Sequence, residues 1–253
     1  MVDFIIFKVG DDCYGVNIEN IQRIIQPTSL TKIAQANNLV DGMMNYENRV
    51  IKVVNFRKVV NLKSYEDELL FTFNKLKNQH KDWVNELIKC VEDETEFKET
   101  TNARLCELGI WLDKFTSHDD KIRVILKKLN TFHKQLHLSA IEVLEVANLD
   151  KVKAIELIET KVHELYKNTI YFLNEFIDEL DPITNSIQKL LFFTSEKKSF
   201  AIKVDEILDI AHVDKKTIES ASEKKKISKH LNLFGVVEIN GVLVNIIKDI
   251  NIN

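Results

Sequence analysis

The hydrophobic period changes twice along this chain. Over residues 1–64 apolar positions run in short blocks or alternate. Phe4-Ile5-Ile6-Phe7-Lys8-Val9 is one block, Gly10-Asp11-Asp12 a turn, and Cys13-Tyr14-Gly15-Val16-Asn17-Ile18 an alternating stretch. Val50-Ile51-Lys52-Val53-Val54-Asn55-Phe56 is a further strand pattern, apolar on both faces over part of its length. From about residue 66 the spacing becomes helical. Leu69, Phe73, Leu76, Trp83, Leu87 and Val91 fall on one stripe, and Ile122, Ile125, Leu129, Leu136, Ala140 and Leu144 on a second. Val152, Ile155, Val162, Leu165, Phe172, Phe176 and Leu180 make a third. Ser117-His118-Asp119-Asp120 reads as a capping box before the second stripe, Asp150 as the N-cap of the third, and Pro182 as its stop. A short helix is expected around 102–115. The strand period then returns: Lys189–Thr194 and Phe200–Val204 lie about a turn at Ser195-Glu196-Lys197-Lys198. Gly235–Ile239 and Val242–Ile246 flank Asn240-Gly241, the strongest hairpin signal in the chain.

Turn-forming residues sharpen these boundaries. The chain has six glycines and two prolines, and between residues 65 and 181 only Gly109 occurs. The expected fold class is therefore α+β, with β segments at 1–64 and 182–253 around a helical segment at 65–181. Each flank is near the lower limit for a stable core. The two are expected to form one domain, with an inserted four-helix bundle whose first and last helices run antiparallel.

Composition adds little beyond excluding alternatives. A net charge of −4, with Lys224–Lys226 as the one basic run, gives no electrostatic footprint for nucleic acid. No apolar run is long enough to span a membrane, and the N-terminus lacks a basic segment before an apolar stretch. Three cysteines at irregular spacing argue against a disulfide framework and for a reducing, cytoplasmic setting, with a metal ligand or reactive thiol among them.

The chemistry gathers in the helical segment. His80 lies on the first apolar stripe, one turn from Leu76 and near Trp83, and His133 and His137 project from one face of a later helix. Cys106 sits in Leu105-Cys106-Glu107-Leu108-Gly109-Ile110-Trp111-Leu112. Buried imidazoles need a partner for each nitrogen, and zinc, which takes four N/S ligands tetrahedrally, would serve all three and the thiol at once. A His-x-x-x-His pair alone is weak. His118, His163, His212 and His230 fit no such set, Cys13 and Cys90 read as buried residues, and Trp83 and Trp111 as packing around the site.

The β segments resemble the CheW family. Asp3-Phe4-Ile5-Ile6-Phe7, Gly10-Asp11, Tyr14-Gly15-Val16, Ile18 and Ile21 match its opening hairpin and following strand. Gly42-Met43-Met44-Asn45-Tyr46, then Val50-Ile51 and Val53-Val54-Asn55-Phe56-Arg57, match its next landmark. Phe200–Ile207 matches a later strand, and Gly235–Ile250 its last hairpin and helix. The resemblance implies two small five-stranded barrels that dock the histidine kinase CheA and the cytoplasmic tip of a chemoreceptor, with Ile18, Ile21, Arg23, Gly42 and Glu47 at partner-binding positions. The chain departs from the pattern at Glu47 and Asn48, where the family has Arg-Gly, at Lys52 for proline and at Asn55 for aspartate. Arg23 stands where an acid is common, so Arg23 and Glu47 form either a charge-reversed ion pair or two unrelated surface substitutions.

The helical set resembles the chemoreceptor zinc-binding (CZB) domain through His80/Trp83, Cys106…Gly109…Trp111-Leu112 and His133…His137. That resemblance implies a zinc ion held by His80, Cys106, His133 and His137, with Cys106 as a redox-active thiolate sensing zinc or oxidants such as hypochlorous acid. Four protein ligands leave no position for a catalytic water. No phosphate-binding loop or nucleophile elbow occurs, so a non-enzymatic adaptor is expected. A constitutive scaffold with purely structural zinc is the alternative, a metalloenzyme is a third reading, and a homodimer through the insert stays open.

Overall fold

The computed structural model describes residues 1–28, 30–33, 37–117, 119–195, 198–220 and 228–252. His118, Glu196 and Lys197 of the expected turn, and the Lys224–Lys226 run lie outside the described residues. The elements are, in order, β1 (Val2–Val9), β2 (Asp12–Asn17), a 3-10 turn (Ile18–Asn20), β3 (Ile21–Ile25), β4 (Val40–Tyr46), β5 (Arg49–Asn55) and α1 (Phe56–Val59). There follow α2 (Tyr65–Asp93), α3 (Glu107–Lys114), α4 (Asp120–Ala147), α5 (Lys151–Leu157), a π-helical turn (Ile158–Val162), α6 (His163–Asp178) and α7 (Leu180–Ile187). The chain closes with β6 (Lys189–Ser195), β7 (Lys198–Val204), β8 (Glu206–Val213), a 3-10 turn (Lys215–Thr217), β9 (Glu219–Ser220), β10 (Leu231–Ile239) and β11 (Val242–Ile250). Two compact units result: residues 1–67 with 184–253, and residues 68–183.

In the first unit the strands make two sheets, ordered β8-β1-β2-β11-β10-β9 and β3-β6-β7-β5-β4. Among the described residues the counts are six and five rather than five and five, because the two-residue β9 pairs with β10 through Gly235 and Val236. Every early strand except β4 takes a partner from the C-terminal segment. β1 pairs β8 antiparallel, β2 pairs β11 parallel, β3 pairs β6 antiparallel, and β5 pairs β7 parallel. The apolar runs fit sheets buried on both faces. Ile5, Phe7, Val9, Tyr14, Val54, Phe56, Phe193, Phe200, Ile202 and Ile247 build one core from both sheets. The opposite face of the six-stranded sheet buries Phe4, Ile6, Val237 and Val244, and that of the five-stranded sheet Ile51, Val53, Leu190 and Ala201. Asn240 and Gly241 have φ of 53° and 80°, the left-handed pair that a two-residue hairpin requires.

The flanks differ from expectation at two places. The strand expected over residues 50–56 ends at Asn55, whose side chain accepts from Arg57 N and starts α1. The expected C-terminal helix is absent among the described residues. β11 instead runs to Ile250, paired with Leu231, which lets Ile247 and Ile250 reach the core.

In the second unit α2, α4 and the α5–α6 rod share a core of Trp83, Val84, Leu87, Val91, Leu136, Ala140, Val143, Ala154, Ile158 and Val162. The N-cap of α4 is Asp119, whose carboxylate accepts from Ile122 N at 3.0 Å. Ser117 Oγ, the expected cap, accepts only from Asp119 N, just outside the helix. Asp150 caps α5 as expected, through Lys153 N. The third stripe is not one helix. It passes through the π turn, and α6 ends at Asp178, before a break at Glu179. Pro182 therefore stops nothing. It sits in the first turn of α7, where the missing N–H has no helical partner to lose.

Candidate metal centre

His80 projects from the middle of α2, and His133 and His137 from one face of α4. Cys106 stands at the N-cap of α3 and makes no side-chain capping bond of standard geometry. One ligand atom from each of the four falls within 4.8 Å of all the others. Three are sealed from solvent, with His80 2% exposed, His133 0% and His137 1%, while Cys106 is partly exposed.

Hydrogen bonds fix which nitrogens face inward. His80 Nδ1 lies 2.7 Å from Leu76 O, and His137 Nδ1 lies 3.0 Å from Thr100 O. A carbonyl only accepts, so both Nδ1 atoms carry the proton and both Nε2 lone pairs are bare. His80 Nε2 is 3.5 Å from Cys106 Sγ. That is about the edge of a tetrahedron with metal–nitrogen bonds of ~2.0–2.1 Å and a metal–sulfur bond of ~2.3 Å. His137 Nε2 and both ring nitrogens of His133 are buried with no hydrogen-bond partner. Such orphans cost roughly 1–3 kcal/mol each. A cation at the shared centre would remove most of that cost, and a donor set of three imidazole nitrogens and one sulfur suits zinc.

Electrostatics agree with neutral imidazoles. Burial, with His80 and His137 nearby, pushes His133 down to about 2, and burial pushes His137 down to about 4 despite the Thr100 carbonyl. Burial also lowers His80. The Cys106 thiol is pushed up by burial and by Glu107, while the backbone N–H groups of Leu108 and Gly109 pull the other way. Neutral imidazole is the form that binds metal. The thiol needs a metal to become thiolate, so the four groups are poised for a cation and poorly suited to standing empty.

The surroundings explain the spacing of the motif. Trp83 Nε1 donates to Thr100 O at 3.0 Å, the same oxygen that holds His137, and its ring lies 4.8 Å from the His137 ring. Carbonyls that orient metal-binding imidazoles are the usual outer shell of such sites. A Cβ on Gly109 would stand 1.8 Å from Ala103 O, so the loop carrying Cys106 can fold over α3 only because residue 109 is glycine. The Trp111 ring packs with Phe73, Phe115 and Phe176 in an aromatic cluster. The Leu76 and Thr100 carbonyls carry no sequence signal, since any residue type offers one.

The expected partner-binding residues lie in the first unit. Arg23 Nη1 is 2.8 Å from Glu47 Oε1, both side chains exposed, and Arg23 also donates to Tyr46 Oη and lies over its ring. Glu47 and Asn48 have φ of 48° and 62°, so the turn between β4 and β5 holds two non-glycine residues in left-handed conformation. Ile18 and Ile21 are partly buried against the core. Gly42 is buried beneath the Leu30-Thr31 backbone, where a Cβ would meet Thr31 O at 2.7 Å.

A family model described as the CheW-like domain matches residues 3–79, and one described as the chemoreceptor zinc-binding domain matches residues 80–144. The two matches lie end to end and together span residues 3–144. The four metal-ligand candidates all fall within the CZB match, which begins at His80. The CheW-like match ends inside α2, and neither model reaches β6–β11, which the sheets pair with the first five strands. The curated chemotaxis protein CheW of Thermotoga maritima is 24% identical over 63 residues, which span 25% of this chain and 42% of that relative. A solved structure titled as the scaffolding protein TtCheW of Thermoanaerobacter tengcongensis aligns with a TM-score of 0.47 at 10% identity, covering 98% of this chain and 84% of that one. No described helix is long and apolar enough to cross a membrane.

Proposed function

We propose that this chain is a cytoplasmic chemotaxis adaptor between chemoreceptors and the kinase CheA, and that His80, Cys106, His133 and His137 hold a zinc ion through which it senses zinc or oxidants. The observation that carries the proposal is the convergence of three buried, neutral imidazoles and one thiol on a common point, with three imidazole nitrogens left without a partner. It occurs in a chain whose other part is CheW-like.

Bound zinc would keep the Cys106 sulfur deprotonated, the form that oxidants attack. With hypochlorous acid, the Cys106 sulfur attacks chlorine and hydroxide leaves. Water then displaces chloride with loss of a proton, leaving a sulfenic acid. Cys106 thereby loses its negative charge and much of its donor strength, and the loop before α3 loses its tie to α2 and α4. The chain passes from the first unit to the second inside α2 and returns inside α7.

The test is metal content of the purified chain beside Cys106→Ala and His133→Ala, followed by CheA activity in a reconstituted receptor array before and after oxidant. About one zinc per native chain, sharply reduced in both variants, with an oxidant-dependent kinase response, is the expected result. Absence of zinc from protein prepared without chelator would remove the sensor reading. A constitutive scaffold with structural zinc is favoured by one observation, the full burial of the three imidazoles. That alternative predicts zinc binding with kinase activity indifferent to oxidant.

A further inference from the structure

The metal centre opens onto a cleft of about 490 Å³, and His80, Cys106 and His137 are among the residues that line it. His137 lines this cleft although it is only 1% exposed, and its Nε2 has no hydrogen-bond partner. His133, in contrast, does not line it. A reagent entering by this route therefore meets the sulfur, the one partly exposed member of the set.

The mouth carries one sign of charge. Asp82 and Glu86 from α2, Glu99 from the following loop and Glu107 at the start of α3 line it, all exposed, and no lysine or arginine does so. Lys75 neutralises Glu107 from outside the cleft, at 2.8 Å. Asp82, Glu86 and Glu99 have no such cation in the lining. Zinc with one thiolate and three neutral imidazoles would leave a formal charge of +1, which by itself attracts anions. Three exposed carboxylates lining the cleft oppose that sign before a reagent arrives, and a concave site strengthens the effect.

We propose that Asp82, Glu86 and Glu99 form a charge filter over Cys106 that admits uncharged and cationic thiol-reactive molecules and turns away anionic ones. The filter rests on the reading of Cys106 as the reacting sulfur. It narrows the chemical class of the stimulus to small neutral oxidants, such as hypochlorous acid in its protonated form, over anions such as hypochlorite or a glutathione-derived disulfide. It also directs divalent cations toward the site.

Three methanethiosulfonates of matched reactivity test the filter: the trimethylammonioethyl (cationic), methyl (neutral) and sulfonatoethyl (anionic) reagents. Each transfers its thioalkyl group to a thiolate, forming a disulfide and releasing methanesulfinate, so the Cys106-containing peptide gains a defined mass. Rates at Cys106 are divided by those with 2-mercaptoethanol. The cation is expected to exceed the anion by about 10-fold or more, with the neutral reagent between them. Asp82→Asn/Glu86→Gln/Glu99→Gln is expected to bring the ratio toward one, as is raising the salt of the native chain, which requires no variant to fold. A cation-to-anion ratio within twofold of one in low salt, or a ratio insensitive to both salt and the triple variant, overturns the filter. Zinc measured in the same samples separates the two readings. A chain without zinc that keeps the ratio retains the filter and loses the sensor, and a zinc-loaded chain with no ratio does the opposite.

Discussion

Arg57 and Asp205 stand 148 residues apart in the sequence and form an ion pair in which the guanidinium side chain is 3% exposed. Asp205 also accepts from Gly10 N at 2.9 Å and from Gln188 Nε2 at 3.0 Å, and Arg57 Nε donates to Lys63 O at 2.9 Å. The Tyr65 ring packs on the guanidinium. Lys63 lies just before α2 and Gln188 just after α7, both within the first unit, so one buried pair ties together the two segments that flank the helices. Breaking a buried pair by removing one partner strands the other charge, at a cost of roughly 3–5 kcal/mol. Arg57→Ala and Asp205→Ala are each expected to lower unfolding free energy in urea by about that amount. The double variant should be less destabilised than the sum.

Gly109→Ala should separate the metal site from the helices that carry it. The clash is with the Ala103 carbonyl, part of the backbone, so no side-chain rotation relieves it. The 103–106 loop must lift, moving Cys106 while His80, His133 and His137 stay on α2 and α4. Metal affinity is expected to fall about 10- to 100-fold, measured by competition with a chromogenic chelator. The helical circular dichroism should change little.

Trp83→Phe keeps an aromatic ring against His137 and removes the indole N–H that shares Thr100 O. The His137 bond to that oxygen remains, so the loss is one of orientation. An approximately 10-fold loss of zinc affinity is expected, smaller than for any ligand variant. An unchanged affinity would limit Trp83 to packing.

Asp41 gives the first unit an acid-sensitive contact. Burial alone would raise its carboxyl, but the Lys203 and Lys58 ammoniums outweigh that, and the net shift is downward. A carboxyl lowered by folding contributes stability that is complete above its unfolded value and is lost as pH falls through its folded one. Native protein and Lys203→Met should therefore differ most in urea midpoint at pH 7. The gap should narrow as pH drops below about 4. A gap that widens in acid would contradict the assignment.

Much of this was legible in the sequence for identifiable reasons. The strand and helix periods were visible because each sheet and helix buries a repeating face, and Asn240-Gly241 marked its hairpin because few residue pairs tolerate two left-handed positions. His80, Cys106, His133 and His137 could be picked out together because the chemistry needs those types at those spacings, and the structure brings them together. Capping was less legible: Ser117 and Asp119 are both good caps, and only the direction of the chain chooses between them. The π turn at Ile158–Val162 left no signal, since its apolar residues fit an α period nearly as well. Asn55 shows the converse case. It departs from a family aspartate, and its Nδ2 donates to both Asp41 oxygens at 3.0 and 3.2 Å while its oxygen caps α1. An aspartate there would face Asp41 with like charge.

The pairing of early strands with late ones also sets an order of events during synthesis. β2 closes onto β11, and β1, β3 and β5 likewise wait for strands made after residue 188. Translation at about 5–20 residues per second puts that delay on the order of ten seconds or more. The helical unit, complete by residue 183, needs no such wait. It can fold while β1, β2, β3 and β5 still lack the strands they pair with from the C-terminal segment. The two-sheet unit is thus completed after the helical one.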